Sequence, residues 1–333
     1  MKKQTIIAAL LLATTMSHGK TTPNQTETSA NFEGYLFAYF EGGGDAKQQE
    51  HLRFALSDDG VNWRALNENR PVIASDTISE SGGIRDPHIL RGEDGRFYIV
   101  ATDMNTAKNG WNENPGIVLL SSDDLLHWDF HADPDLLIYD YAPDVRQVGA
   151  YLYFSASRKG RDCPILRTAD PLTEPFTEVS APFAFWDPDM FWDDDGRVYF
   201  YWGCSNMSPI WGVELDPETM TPIGEKKELI FGREEELGYE RPGNNGIVDK
   251  ESSVLYKSMK AFYNEATGHL ELPPQMAQMP GLSAEVLTAM FKAIDKPYIE
   301  GAFMTKHNGT YYLQYACPCL LYTSPSPRDI SGS

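Results

Sequence analysis

The chain has 333 residues, 41% of them apolar and 12% aromatic, enough for one large or two ordinary domains with a true core. Its formal charge of −20 argues against nucleic acid and anionic membrane surfaces as partners, because phosphate groups recruit Lys and Arg. Most of that charge reads as a solubilising surface, with a smaller share left for an acidic cleft. Four cysteines show no framework spacing in a chain of this size, and Cys317-Pro318-Cys319 is not a CxxC redox or zinc pair.

Lys2-Lys3 followed by the apolar run Ile6 to Ala13 reads as a secretory signal peptide (1–19), cleaved near Gly19. A secreted or periplasmic location is therefore expected. No cysteine near that point offers a lipid anchor, and no other stretch suits a membrane span. Residues 20–31 read as a loose polar leader. From Phe32 onward the chain is almost all short strands. Gly34 to Glu41 and Leu52 to Ser57 come first, the latter running into SDDGVNW (Ser57 to Trp63). That turn returns as SDDLLHW (Ser122 to Trp128) and, more degenerately, as LRTADPLTEPF (Leu166 to Phe176).

A second element recurs between these turns. Ile84 to Thr102 (IRDPHILRGEDGRFYIVAT), Phe185 to Cys204 (FWDPDMFWDDDGRVYFYWGC) and Tyr298 to Ala316 (YIEGAFMTKHNGTYYLQYA) each read as a strand, a glycine turn and a second strand. Asp86, Asp187 and Glu300 each lie nine residues before the turn glycine, at Gly95, Gly196 and Gly309. A fourth copy, Tyr141 to Ser157, has Ala142 in that slot and its acid, Asp144, two places further on, level with Asp189 and His88. Repeats of roughly 45–60 residues with about four strands each are the mark of propeller blades. The expected fold is all-β, a five-bladed β-propeller over residues 32–319, with N-terminal strands completing the last blade.

Between Asp187 and Glu300 the interval is 113 residues, about twice the others. Ser253 to Ala266 and Ser283 to Lys296 read as helices, with Ser283 as N-cap and Pro297 as terminator. This marks a partly helical insertion, about 246–297, in the fourth blade. It follows a rim loop, GYERPGNNG (Gly238 to Gly246), whose Glu240 and Arg241 either contact substrate or pair with each other. After Ala316 the strand pattern stops, and three prolines fall in the last sixteen residues. The last blade thus reads as truncated, and 320–333 as a disordered or foreign tail.

Innermost propeller strands converge on a central pocket, so acids sharing one slot in different blades form a carboxylate cluster. Crowded like charges keep one acid protonated and leave another ionised. Cleaving a glycosidic bond needs that pair: an acid for the leaving oxygen and a base for water. A single Asp before Pro more often marks a turn, and it is the repetition that carries the reading. Asp144 and Asp189 either rim the pocket or anchor strand backbone. Trp186 and Trp111 are candidate sugar-stacking faces, whereas Trp192 and Trp202 read as core.

At these residues the sequence resembles glycoside hydrolase family 43, through RDPHI (Arg85 to Ile89), YAPDV (Tyr141 to Val145), WDPDMFWDDDG (Trp186 to Gly196) and IEGAF with HNGTYYLQY (Ile299 to Tyr315). The resemblance spans nearly the whole mature chain. It implies a five-bladed propeller acting on arabinose- or xylose-containing plant cell-wall glycans, with Asp86 as general base, Glu300 as general acid and Asp187 as the acid that tunes and orients. Exo action as an α-L-arabinofuranosidase or β-xylosidase is expected, with inversion, because the acid and base enter from separate blades. No cofactor is required for that chemistry and no metal ligand set is identified. A structural calcium of the kind the family often carries finds no support in this sequence, and a monomer is expected. Two departures from the family pattern are the early end of the last blade and the insertion. The rival readings are a non-catalytic sugar-binding propeller, an endo-arabinanase and another five-bladed glycosidase. The fructan-cleaving type lacks its Asn-Asp-Pro-Asn strand here, and a phosphorylase would want a basic phosphate site that the slots do not show.

Overall fold

The computed structural model of the chain describes residues 34–42, 49–111, 114–132, 135–232, 250–273, 283–294, 296–307 and 309–317. The expected signal peptide, leader and tail lie outside the described residues, as does the loop bearing Glu240 and Arg241. The fold is all-β, a five-bladed propeller, and the chain divides into two compact units, Met1–Ala184 and Phe185–Ser333.

The first unit holds three blade sheets, each an antiparallel meander. β1 (Tyr35–Tyr39), β2 (Arg53–Ser57) and β3 (Arg64–Ala65) form a three-stranded sheet, and among the described residues none of them pairs with a strand expected in the last blade. β4 (Ile84–Arg91), β5 (Phe97–Asp103), β6 (Gly116–Ser122) and β7 (Asp129–His131) form the second sheet. A one-turn helix, α1 (Thr106–Asn109), lies between β5 and β6. β8 (Tyr141–Val148), β9 (Tyr151–Ser157), β10 (Ile165–Thr168) and β11 (Thr177–Ser180) form the third.

Period-two alternation explains how the sheets stack. On β5, Ile99 and Ala101 pack into a cluster with Leu36, Phe54 and Ile89. Tyr98 and Val100, on the opposite face, join Val145, Phe154 and Leu166. One strand therefore faces two cores. The repeated Asp turns serve as clamps: Asp59 accepts the N–H groups of Val61 and Asn62, and Asp124 those of Leu126 and His127. Their aromatic ends pack back, Trp63 on Phe37 and Trp128 on Phe54.

In the second unit, β12 (Asp189–Trp192), β13 (Val198–Trp202), β15 (Ile210–Leu215) and β16 (Pro222–Ile230) form a four-stranded sheet. β14 (Cys204–Ser205) leaves it to pair with β19 (Ile299–His307), which pairs in turn with β20 (Thr310–Ala316). The insertion carries α2 (Val254–Lys260), a hairpin of β17 (Tyr263–Asn264) with β18 (His269–Leu270), and α3 (Ala284–Ala293). Ser253 and Ser283 cap the two helices through their hydroxyls. The first helix ends at Lys260, short of the expected Ala266. Turn chemistry prevails there: the Asn264 side chain accepts the Ala266 N–H, and Gly268 takes φ 68°. Tyr256, Met259, Leu270, Phe291 and Ile294 give the insertion its own small core.

Candidate functional site

A bulge opens each of the repeated inner strands. Across β4 and β5 the register runs from Arg85↔Thr102 to His88↔Val100, so one residue is extra at Asp86-Pro87. Across β8 and β9 the extra residue falls at Ala142-Pro143. Before β12, the Gly203 N–H donates to the Trp186 carbonyl while Asp189 already opposes Tyr201, which places the same bulge at Asp187-Pro188. Asp86, Ala142 and Asp187 all have φ near +50°. That region costs a residue with a side chain about 1–2 kcal/mol, and only a surrounding structure that fixes it can maintain it.

The β19–β20 copy departs from the spacing read in the sequence. Across β19 and β20 the bulge is Gly301-Ala302, and Gly301 carries the positive φ, 63°. Glu300 therefore sits one residue ahead of the Asp86 and Asp187 position, level with Arg85. The equal count of nine residues arises because β19 and β20 turn through two residues, where β4 and β5 turn through three between the Gly92–Arg96 pair.

In the first unit, Thr102 is fully buried opposite Arg85, and its hydroxyl accepts the Ala142 N–H at 3.0 Å. A hydroxyl has one proton, which Thr102 donates to Asp86 Oδ2 at 2.9 Å. One oxygen of the half-buried Asp86 is thus fixed by Thr102, whose hydroxyl is in turn oriented by a neighbouring blade's backbone. Next to it, the Arg85 guanidinium lies between the rings of Phe40 and Trp111, at 4.7 and 4.6 Å, and pairs with buried Glu50 at 2.8 Å. Glu50 also accepts from the Thr106 N–H and hydroxyl. Trp111 is 59% exposed, and Tyr141 donates to its carbonyl at 2.7 Å, so an indole is held open to solvent one residue from Asp86 along the Arg85 stack.

In the second unit, carboxyl oxygens of Asp187 and Glu300 and the sulfur of Cys204 all lie within 4.8 Å of one another. The Gly301 N–H donates to Asp187 Oδ2 at 3.1 Å, and the Cys204 thiol donates to Glu300 Oε2 at 3.4 Å. The Tyr298 hydroxyl lies 3.2 Å from the same sulfur and donates to the Cys204 carbonyl at 3.0 Å. Burial pushes the thiol far up, and the charges of Asp187 and Glu300 push it further, so it stays a protonated donor. Burial likewise raises the Tyr298 hydroxyl. Calcium takes oxygen ligands, so a protonated thiol between the two acids does not fit it.

Other expected contacts resolve differently. Asp144 and Asp189, expected either to rim the pocket and meet substrate or to anchor strand backbone, are each only 1% exposed and are engaged by protein groups. Asp144 pairs with His88 Nδ1 at 3.0 Å, and burial holds that imidazole below its ordinary range despite the carboxylate beside it. Asp189 accepts the Met304 N–H at 2.7 Å and so anchors β19 against β12. Asp189 takes the backbone-anchoring alternative, whereas Asp144 meets the His88 and Arg146 side chains, as a carboxylate this buried needs protein partners. Trp186 is part exposed beside Asp187, and Arg241 lies outside the described residues. Sequence reading missed Thr102, Glu50, Cys204 and Tyr298. Their contacts join residues 16 to 96 positions apart, so no local pattern announces them.

A family model described as "Probable glycosyl hydrolase domain", of the group related to glycoside hydrolase family 43, matches residues 30–209, more than half of the chain. Xylosidase/arabinosidase 43A of Humicola insolens is 29% identical over 184 residues, covering 53% of this chain and 50% of that protein. An α-L-arabinofuranosidase of Bifidobacterium longum is 25% identical over 101 residues, covering 28% of this chain and 9% of that protein. The chain thus spans half or less of the length of these relatives. Among solved structures, a thermostable family-43 glycoside hydrolase is similar at 20% identity and TM-score 0.43, covering 74% of this chain and 68% of that one.

Proposed function

The chain belongs to the glycosyl hydrolase family related to glycoside hydrolase family 43, and from that premise we propose that it is an exported, inverting glycosidase of arabinose- or xylose-containing plant glycans. Exo cleavage of α-L-arabinofuranosides or β-xylosides is the specific activity we assign. The carrying observation is the unequal environment of two neighbouring carboxyls. Asp187 accepts a backbone N–H, which favours its anion, whereas Glu300 accepts from a weak thiol donor beside that anion. A second negative charge there is unfavourable, so the proton stays on Glu300. Glu300 is then the general acid for the leaving oxygen, and Asp187 the charge that keeps it loaded. Asp86, with one oxygen fixed by Thr102, is the general base that takes a proton from water. Trp111 supplies a stacking face for a sugar ring. The basic and apolar N-terminus supports export.

The test is a panel of aryl arabinofuranosides and xylosides beside polymeric arabinan and xylan, followed by proton NMR of the first sugar anomer released. Cleavage with inverted configuration, lost in Asp86→Asn, is expected. Binding without cleavage would favour a sugar-binding propeller. A retained anomer would make one of the acids a nucleophile and overturn the base assignment.

A further inference from the structure

We infer that Cys204 is a positioning residue for Glu300, holding the carboxyl that delivers the proton. The inference rests on the assignment of Glu300 as the acid. Its basis is how the chain brings a thiol there. β13 belongs to one sheet and β14, beginning two residues later, pairs with the other, where Cys204 directly opposes Glu300. The crossing passes through Gly203, where a Cβ would lie 2.9 Å from the Pro209 carbonyl oxygen and 3.0 Å from Ile210 Cα. Only glycine fits so close an approach. The sheet switch therefore places one side chain beside the acid.

A buried thiol more often packs as a small apolar group. Here two polar atoms converge on it instead. Glu300 Oε2 lies 3.4 Å away and the Tyr298 oxygen 3.2 Å away, and the Tyr298 hydroxyl fixes the Cys204 backbone by donating to its carbonyl. The Gly301 N–H holds Asp187 from the residue that follows Glu300. The titratable groups facing Glu300 are thus Asp187, Cys204 and Tyr298. Further along β19 the packed strands present Asp189 and Asp193, with Tyr311 on β20. Of these, the Cys204 thiol donates to the Glu300 carboxyl itself. Losing that bond removes one restraint on the direction in which the carboxyl points at the leaving oxygen.

The test compares Cys204→Ala and Cys204→Ser with the parent on a nitrophenyl glycoside and on an unactivated oligosaccharide of the same sugar. An aimed acid matters only where the leaving group needs its proton. Cys204→Ala should lower kcat on the oligosaccharide about tenfold or more, with KM and the nitrophenyl rate within about threefold. Cys204→Ser keeps a donor and should recover most of that loss. A purely structural thiol would give equal losses on both substrates with a lower Tm, and that result, or a Cys204→Ala variant equal to the parent, overturns the inference alone. A parent that cleaves neither substrate overturns the proposed function, and this inference with it.

Discussion

Replacing Thr102 with valine removes one hydroxyl while keeping the shape of the side chain, which isolates the link from Ala142 to Asp86. The parent hydroxyl satisfies a backbone N–H and donates to a carboxylate. Losing a bond to a charged group costs about 1.5–3 kcal/mol, and orphaning an amide about 1–3 kcal/mol. Asp86 and Ala142 are only half-buried, so water replaces part of both, and the expected loss is about 2–3 kcal/mol, not the sum. At about 2.1 cal/mol/K per residue, a chain of this size would lose about 3–4 °C in Tm. Asp86 would also lose the contact that fixes its second oxygen, so kcat should fall about 10- to 100-fold through misplacement of the base. Thr102→Ser keeps the hydroxyl and deletes one methyl, costing about 1 kcal/mol and leaving kcat within about threefold. Calorimetry with steady-state kinetics on the three proteins makes the comparison. A valine variant with the parent's kcat, or a serine variant as impaired as the valine one, would refute the idea that this hydroxyl positions Asp86.

Two further outcomes follow from the same geometry. Burial opposes ionisation of Asp193, but donation from Lys306, Tyr311 and the Asp194 N–H outweighs it and holds the carboxyl below the usual range. Its stabilisation is therefore present above about pH 4 and lost as pH falls through the lowered folded value; urea midpoints should drop more steeply with acid in the parent than in Asp193→Asn, and equal slopes would contradict this. Trp111→Ala should raise KM about three- to tenfold with kcat little changed, because a stacking face contributes to binding in ground and transition states alike; a fall in kcat alone, measured on the substrate the panel identifies, would instead tie the indole to Arg85 and the geometry of Asp86.

The parts legible in the sequence were those decided over a few residues. The turn glycines Gly95 and Gly196 are found at φ 86° and 84°, in the hairpins that Asp-Gly announced, and Ser283 caps its helix as expected. The pairings of β4 with β5 and of β12 with β13 followed from those turns. Glu300 shows where local counting stops. Its distance to Gly309 matches the other copies, yet a turn one residue shorter hides a register offset that only the pairing of β19 with β20 reveals. Burial was equally out of reach. Asp144 and Asp189 carry the same Asp-Pro-rich context as the slot acids, but the extra bulge residue before each breaks the alternation, and they are buried against His88 and the Met304 amide. Glu50 sits outside any motif, and its partner Arg85 is 35 residues away. The bulge itself was invisible, although Ala142 shares the φ of Asp86 and Asp187, which shows that the backbone shape belongs to the blade and not to the acid.

Glu300→Gln tests the role of Glu300 as proton donor most directly. The amide keeps the size of the side chain and removes the transferable proton. Rates on an unactivated oligosaccharide should fall by about a hundredfold or more, while a nitrophenyl glycoside, whose leaving group needs little protonation, should be cleaved within about tenfold of the parent rate. Equal losses on both substrates would contradict the assignment of Glu300 as the acid.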